Sequence, residues 1–182
     1  PGPGRPAGGT LAAMHPIARL RDAARRVMAW SLEGESGVEA AATEAQRNDS
    51  VATSVFHGWL AQVFSATLND EINALNMGQA TGVGFDRVRL VLRLLEDASN
   101  LRTRDMATGQ STLWDDLATM DVTETRDLIL VRSLDEALTE LERLFATPDL
   151  DMWRWGDQHT VRFAVLFPPL GPGVSIPASG GM

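Results

Sequence analysis

Residues 152–167 read MWRWGDQHTVRFAVLF: two tryptophans one residue apart, a glycine, a histidine, and then an alternating apolar run. Val161, Phe163, Val165 and Phe167 alternate with Arg162, Ala164 and Leu166, which is the period of a strand. Pro168-Pro169 stops the run, and glycine and proline dominate from there to the end. Everything upstream reads as helix or loop. A lone strand leaves its backbone donors and acceptors unpaired, so it needs sheet partners, either weaker strands or residues absent from this sequence. The expected fold class is α+β: mainly helical, with one strand near the C-terminal end.

Working back from that strand, helices dominate. Pro16 suits a first helical turn, and Ile17, Leu20, Ala24, Val27 and Met28 follow at helical spacing, with Gly34 and Gly37 ending the segment. Residues 38–50, VEAAATEAQRNDS, read as a short helix or a loop. Asn48, Asp49 and Ser50 offer an N-cap to the strongest helix, whose stripe is Val51, Val55, Phe56, Trp59, Leu60, Val63, Phe64, Leu68, Ile72 and Leu75. Gly78, Gly82 and Gly84 mark a loop, and residues 86–97 resume a helix with Val88, Val91, Leu92 and Leu95 on one side. After a polar loop holding LWDD at 113–116, a second long helix is expected near Asp121. There Asp121 and Glu124 have capping-box spacing, and Leu128, Val131, Leu134, Leu138, Leu141 and Leu144 form the expected buried stripe, ended by Pro148. Residues 1–10 form a flexible Pro/Gly-rich connector ahead of a single domain. The opening Pro1-Gly2-Pro3-Gly4 and the glycine-rich close at Met182 both read as cuts in a longer product.

Composition narrows the chemistry. With 182 residues, 44% apolar and 22% charged, the chain is long enough for one real core. A net charge of -8 and a pI near 4.8 argue against nucleic acid as a general partner. All 16 basic residues are arginine, which removes a lysine nucleophile or Schiff base, and the absence of cysteine removes thiolate chemistry. The longest apolar stretch, residues 163–167, is far short of a membrane span.

Candidate chemistry is sparse. His15, His57 and His159 fall on a connector, on the aromatic helix and in the Trp motif, with no metal-ligand spacing beside them, and each reads first as structural. Among the carboxylate pairs only Asp115-Asp116, after Trp114 in a loop, is worth testing for calcium or hydrogen bonding. A metal-dependent site of Asp115, Asp116 and His159 has nothing in the sequence to bring its members together. No serine stands in a Gly-x-Ser-x-Gly elbow. From the residues alone no catalytic, cofactor or metal residue is assigned, and a helical interaction module stays open as an alternative to an enzyme.

Three blocks nevertheless resemble, in order, the C-terminal part of the β chain of the penicillin acylase (penicillin amidase) family of N-terminal-nucleophile hydrolases. They are MAWSLEGESG at 28–37 with NDSVATSVFHGWLAQVF at 48–64, LWDDLAT at 113–119 with TRDLILVRSLDEALTEL at 125–141, and WRWGDQHTVRF at 153–163 with SIPASGG at 175–181. One departure is Trp30-Ser31-Leu32-Glu33-Gly34, where the family shows a tighter Trp-Asp-Gly turn. The resemblance implies that residues 11–182 are the C-terminal portion of a precursor folded as an αββα sandwich, exported to the periplasm or beyond. It implies an amidohydrolase cleaving the side-chain amide of a small N-acyl compound, of β-lactam or acyl-homoserine-lactone type. Its nucleophile would be an N-terminal serine upstream of this chain, and its partners the α chain and the rest of the β chain. No cofactor is implied in this chain, and the full-length parent leaves room for calcium. On this reading Trp153, Trp155, Gly156 and His159 are scaffold, with Gly156 permitting a tight turn and His159 fixing it by a ring hydrogen bond.

Overall fold

The computed structural model describes residues 16–69, 85–96, 104–106, 109–116, 119, 122–163 and 174–179. Helix α1 is Pro16–Ala29, α2 is Glu44–Phe64 and runs on into a π-helical turn at Ser65–Asn69, α3 is Phe85–Leu95, and α4 is Arg126–Phe145. A single turn, α5 at Trp155–Gln158, leads into β1 at Thr160–Phe163, which pairs antiparallel with β2 at Val174–Pro177. The register sets Thr160 opposite Pro177, Val161 opposite Ile176, Arg162 opposite Ser175 and Phe163 opposite Val174. The expected α+β class holds, and the strand's partner is β2, inside the segment read as Gly/Pro coil. The second half of the expected strand, 164–167, lies outside the described residues, as do His15, Asp121 and the 1–10 connector.

Helix α2 is the centre of the molecule, packed by α1, α4, α5 and the π turn. Six consecutive residues, Ser50 to Val55, are buried, so this stretch is covered on every side rather than along one stripe. Its small side chains let neighbours approach closely. Gly58 is the limiting case, since a Cβ there would stand 3.0 Å from Leu141 Cδ1 on α4. One core cluster joins Ala23, Val51, Val55, Leu134, Leu138, Leu141, Leu150 and Trp153, and a second joins Val63, Leu68, Val91, Leu94, Trp114 and Ile129. Trp59 packs against both and ties them together, its indole N–H donating to Leu130 O at 2.9 Å.

Four sequence expectations change. Helix α2 starts seven residues earlier than the Asn48–Ser50 cap would have it: Thr43 is its N-cap, and Gln46 completes the capping box. Asp49 and Ser50 are polar for another reason, because they hold the 31–36 loop. Asp49 accepts from Ser31 N–H at 3.2 Å and Ser31 Oγ at 2.5 Å, and Ser50 Oγ donates to Ser36 O at 2.6 Å. Helix α4 instead starts later, capped by Thr125, and Glu124 is drawn into an ion network rather than a capping box. The buried face of α4 is Ile129, Ser133, Leu134, Ala137, Leu138 and Leu141, whereas Leu128, Val131 and Leu144 are exposed. On α1 the exposed members of the expected stripe are Ile17 and Met28, and the helix seats on Ala23 with Leu20, Ala24 and Val27.

Candidate functional site

The Trp motif is built as a joint between the C-terminal segment and α2. Trp153 is fully buried, stacks on Phe145 at 6.1 Å, lies under the Arg19 guanidinium and donates its indole N–H to Thr147 O at 2.8 Å. Two residues on, Trp155 N–H donates to Ser50 Oγ at 2.8 Å and Gly156 N–H to Ser36 O at 2.9 Å, so the start of α5 rests on the α2–loop junction. Gly156 serves close approach rather than a turn: a Cβ there would stand 2.9 Å from Ser36 Cβ and from Ser36 O. The His159 ring reaches the far side of the hairpin rather than the Gly156 turn, with Nδ1 3.2 Å from Ala178 O, while its backbone N–H donates to Trp155 O at 2.8 Å.

Five rings form a row across this joint. Trp155 stacks with both His57 and His159, each 4.7 Å away, at 22° and 23° to it. His57 meets Phe56 edge-on at 5.9 Å, and Phe56 meets Trp30 at 5.4 Å. The half-buried His57 ring has no hydrogen-bond partner among the described residues. Burial pushes its pKa below the ordinary 6.5, and the nearby His159 ring adds to the shift. The imidazole is therefore neutral near pH 7.

On one side of this row opens a cavity of about 460 Å³. Its walls come from α2 (Phe56, His57, Trp59, Leu60, Val63), α3 (Leu92, Leu95), α4 (Leu130) and the turn Trp30–Gly34. At its rim Leu32 is exposed and sits at φ 67, a left-handed conformation that a branched side chain rarely adopts. This is the structural form of the departure at Trp30–Gly34. The sequence hinted at it only through the aromatic density of 56–60, because the cavity needs α3 and α4 to close it.

The other candidates resolve into scaffold. Asp115 accepts the Glu124 amide at 3.1 Å, Asp116 pairs with Arg132, and Arg132 also reaches the buried Glu124 at 3.2 Å. Thr119 Oγ1 donates to Glu124 at 2.6 Å. With a guanidinium already on Asp116 and Glu124, the Asp115-Asp116 pair does not fit a calcium ion. Among the described residues no group of three or more metal-ligating side chains is assembled, and no helix is long and apolar enough to cross a membrane. Ser36, Ser50 and Ser111 spend their hydroxyls on Glu39, Ser36 O and the Leu113 amide.

No curated protein and no solved structure matches this chain. The family model for penicillin amidase does, over residues 13–182, a span that takes in both core clusters, the Trp joint and the hairpin. The chain belongs to the penicillin amidase family.

Proposed function

We propose that the chain is the C-terminal scaffold portion of an amidohydrolase that cleaves the side-chain amide of a small N-acyl compound, a β-lactam or an acyl-homoserine lactone. The family match over residues 13–182 carries the reading. In this proposal the nucleophile is a serine at the N-terminus of a β chain, lying outside these residues. Its α-amino group takes the hydroxyl proton as the oxygen attacks the amide carbonyl, and preorganised donors hold the oxyanion. In this proposal these residues supply a helical layer and a hairpin on which further strands can build. The partners are the α chain and the preceding part of the β chain of one precursor, and the location is periplasmic or extracellular. A calcium ion in the complete parent belongs to the same proposal, held by residues other than Asp115 and Asp116.

Support comes from the hairpin. Val161 and Ile176 face each other across β1 and β2, and both are exposed at about half. A two-stranded ribbon is at best marginal without further strands or a covering layer.

The test is to sequence the gene for several hundred codons upstream of Pro1 and assay the complete product. An in-frame precursor with a serine at a self-cleavage junction is expected. Its matured product should release amine from N-acyl anilides, while the 182-residue chain alone releases none. A stop codon close upstream, with a start codon beside it, would sink the proposal.

A further inference from the structure

The cavity beside Trp59 calls for its own occupant, whether or not the parent hydrolyses amides. Its size lies in the range of small-molecule pockets, and four rings (Trp30, Phe56, His57 and Trp59) are among its lining residues. Among the described residues no acidic or basic side chain other than His57 lines it. An ion entering there would lose hydration with no countercharge in return. Both indoles are already satisfied: the Trp30 N–H donates to Glu33 O at 2.8 Å, and the Trp59 N–H to Leu130 O at 2.9 Å. Among the described residues that leaves one polar side chain in the lining without a partner, the His57 imidazole, which in its neutral form presents one donor and one acceptor. Trp155, stacked at 4.7 Å, covers one face of that ring and limits its freedom to turn away.

We propose that this cavity binds one neutral aromatic molecule bearing a single hydroxyl, of the naphthol class, with His57 as the residue that selects the hydroxyl. Aromatic walls favour a planar ring over an alkyl chain, because offset stacking adds to simple burial. The uncharged lining excludes the carboxylate of the same shape. The lone imidazole discriminates between the hydroxylated ring and the bare hydrocarbon.

Three molecules of one outline separate these terms: 2-naphthol, naphthalene and 2-naphthoate, each titrated into the chain near neutral pH and followed by tryptophan fluorescence. 2-Naphthol should saturate at one per chain and bind about fivefold more tightly than naphthalene, the ratio one net hydrogen bond gives. 2-Naphthoate should bind more weakly than either. His57→Phe should erase the naphthol preference and leave naphthalene affinity unchanged. Leu92→Trp, at a half-exposed rim position where a larger side chain has room, should abolish uptake of both without altering the far-ultraviolet circular dichroism. Should His57→Phe unfold the chain, the Leu92→Trp comparison decides alone. Uptake that never saturates, or that Leu92→Trp leaves untouched, overturns the proposal. So does a chain that binds no naphthol but self-associates through this face, becoming monomeric on Leu92→Trp.

Discussion

At the scale of single residues, the joint between α2 and α5 leaves no spare volume. Gly156→Ala would drive a methyl group to 2.9 Å from Ser36 Cβ and its carbonyl oxygen, with backbone on one side and a fully buried serine on the other. Overpacking of this kind costs about 2 kcal/mol, expected as a lower urea midpoint with an unchanged slope. His57 gives the same joint a pH dependence of defined sign. Its folded pKa lies below the ordinary 6.5, so the unfolded chain takes up the proton first on acidification. The stability it contributes is complete above about pH 6.5, declines as pH falls through the depressed folded value, and is flat below that. His57→Phe should remove this slope in a series of denaturation midpoints taken between neutral and mildly acidic pH. If the variant keeps the slope, the titrating group is another one.

At the scale of elements, the network around Glu124 ties Asp115, Asp116 and Thr119 to α4. Burial opposes the charged form of Glu124, but hydrogen bonds from Thr119 and the Asp116 amide, together with the Arg132 charge, outweigh it and hold the carboxyl below its ordinary 4.5. Its contribution is therefore present above the unfolded pKa and lost as pH falls through the folded one. Glu124→Gln should cost about 2 kcal/mol at neutral pH, since it leaves part of the Arg132 guanidinium unpaired. It should also flatten the acid limb of the stability curve below about pH 4.5. The same residue shows where sequence reading reached its limit. Asp121 and Glu124 have capping-box spacing, and nothing local says that an arginine eight residues downstream will claim Glu124 first. Asn48–Asp49–Ser50 misled in the same way: a polar trio signals a cap unless a distant loop needs its side chains, and here residues 31–36 take Asp49 and Ser50. On α4, periodicity gave a helix but set its face too wide. Ser133 and Ala137 are buried and Leu128 and Leu144 exposed because the contact with α2 is made around Gly58, a distance effect that hydrophobicity does not encode. What was legible was the helices themselves and the structural part played by Trp153 and His159. What was not was β2, whose four residues carry too short an alternation to stand out among glycines and prolines, and the cavity, which exists only once three helices meet.

At the scale of the whole molecule, the C-terminal segment separates a scaffold of a larger enzyme from a self-sufficient helical module. In the module, residues 150–182 would be dispensable. Here Leu150 and Trp153 sit in the same cluster as Ala23, Val55 and Leu138, so the segment is part of the helical core before it becomes a strand. Beyond His159 the hairpin adds exposed residues, Val161 and Ile176 among them. Two truncations should therefore behave differently. A chain ending after His159 keeps Trp153 on Phe145 and Trp155 on Ser50, and should unfold in one cooperative step near the midpoint of the whole chain. A chain ending after Pro148 exposes the floor left by Trp153, a loss of about 4 kcal/mol that is a large part of the stability of a domain this size. It should show a broad, poorly cooperative melt with loss of near-ultraviolet circular dichroism. Equal melts for the two truncations would mean that the helices hold together without the Trp motif, and the module would then be the better account of this chain.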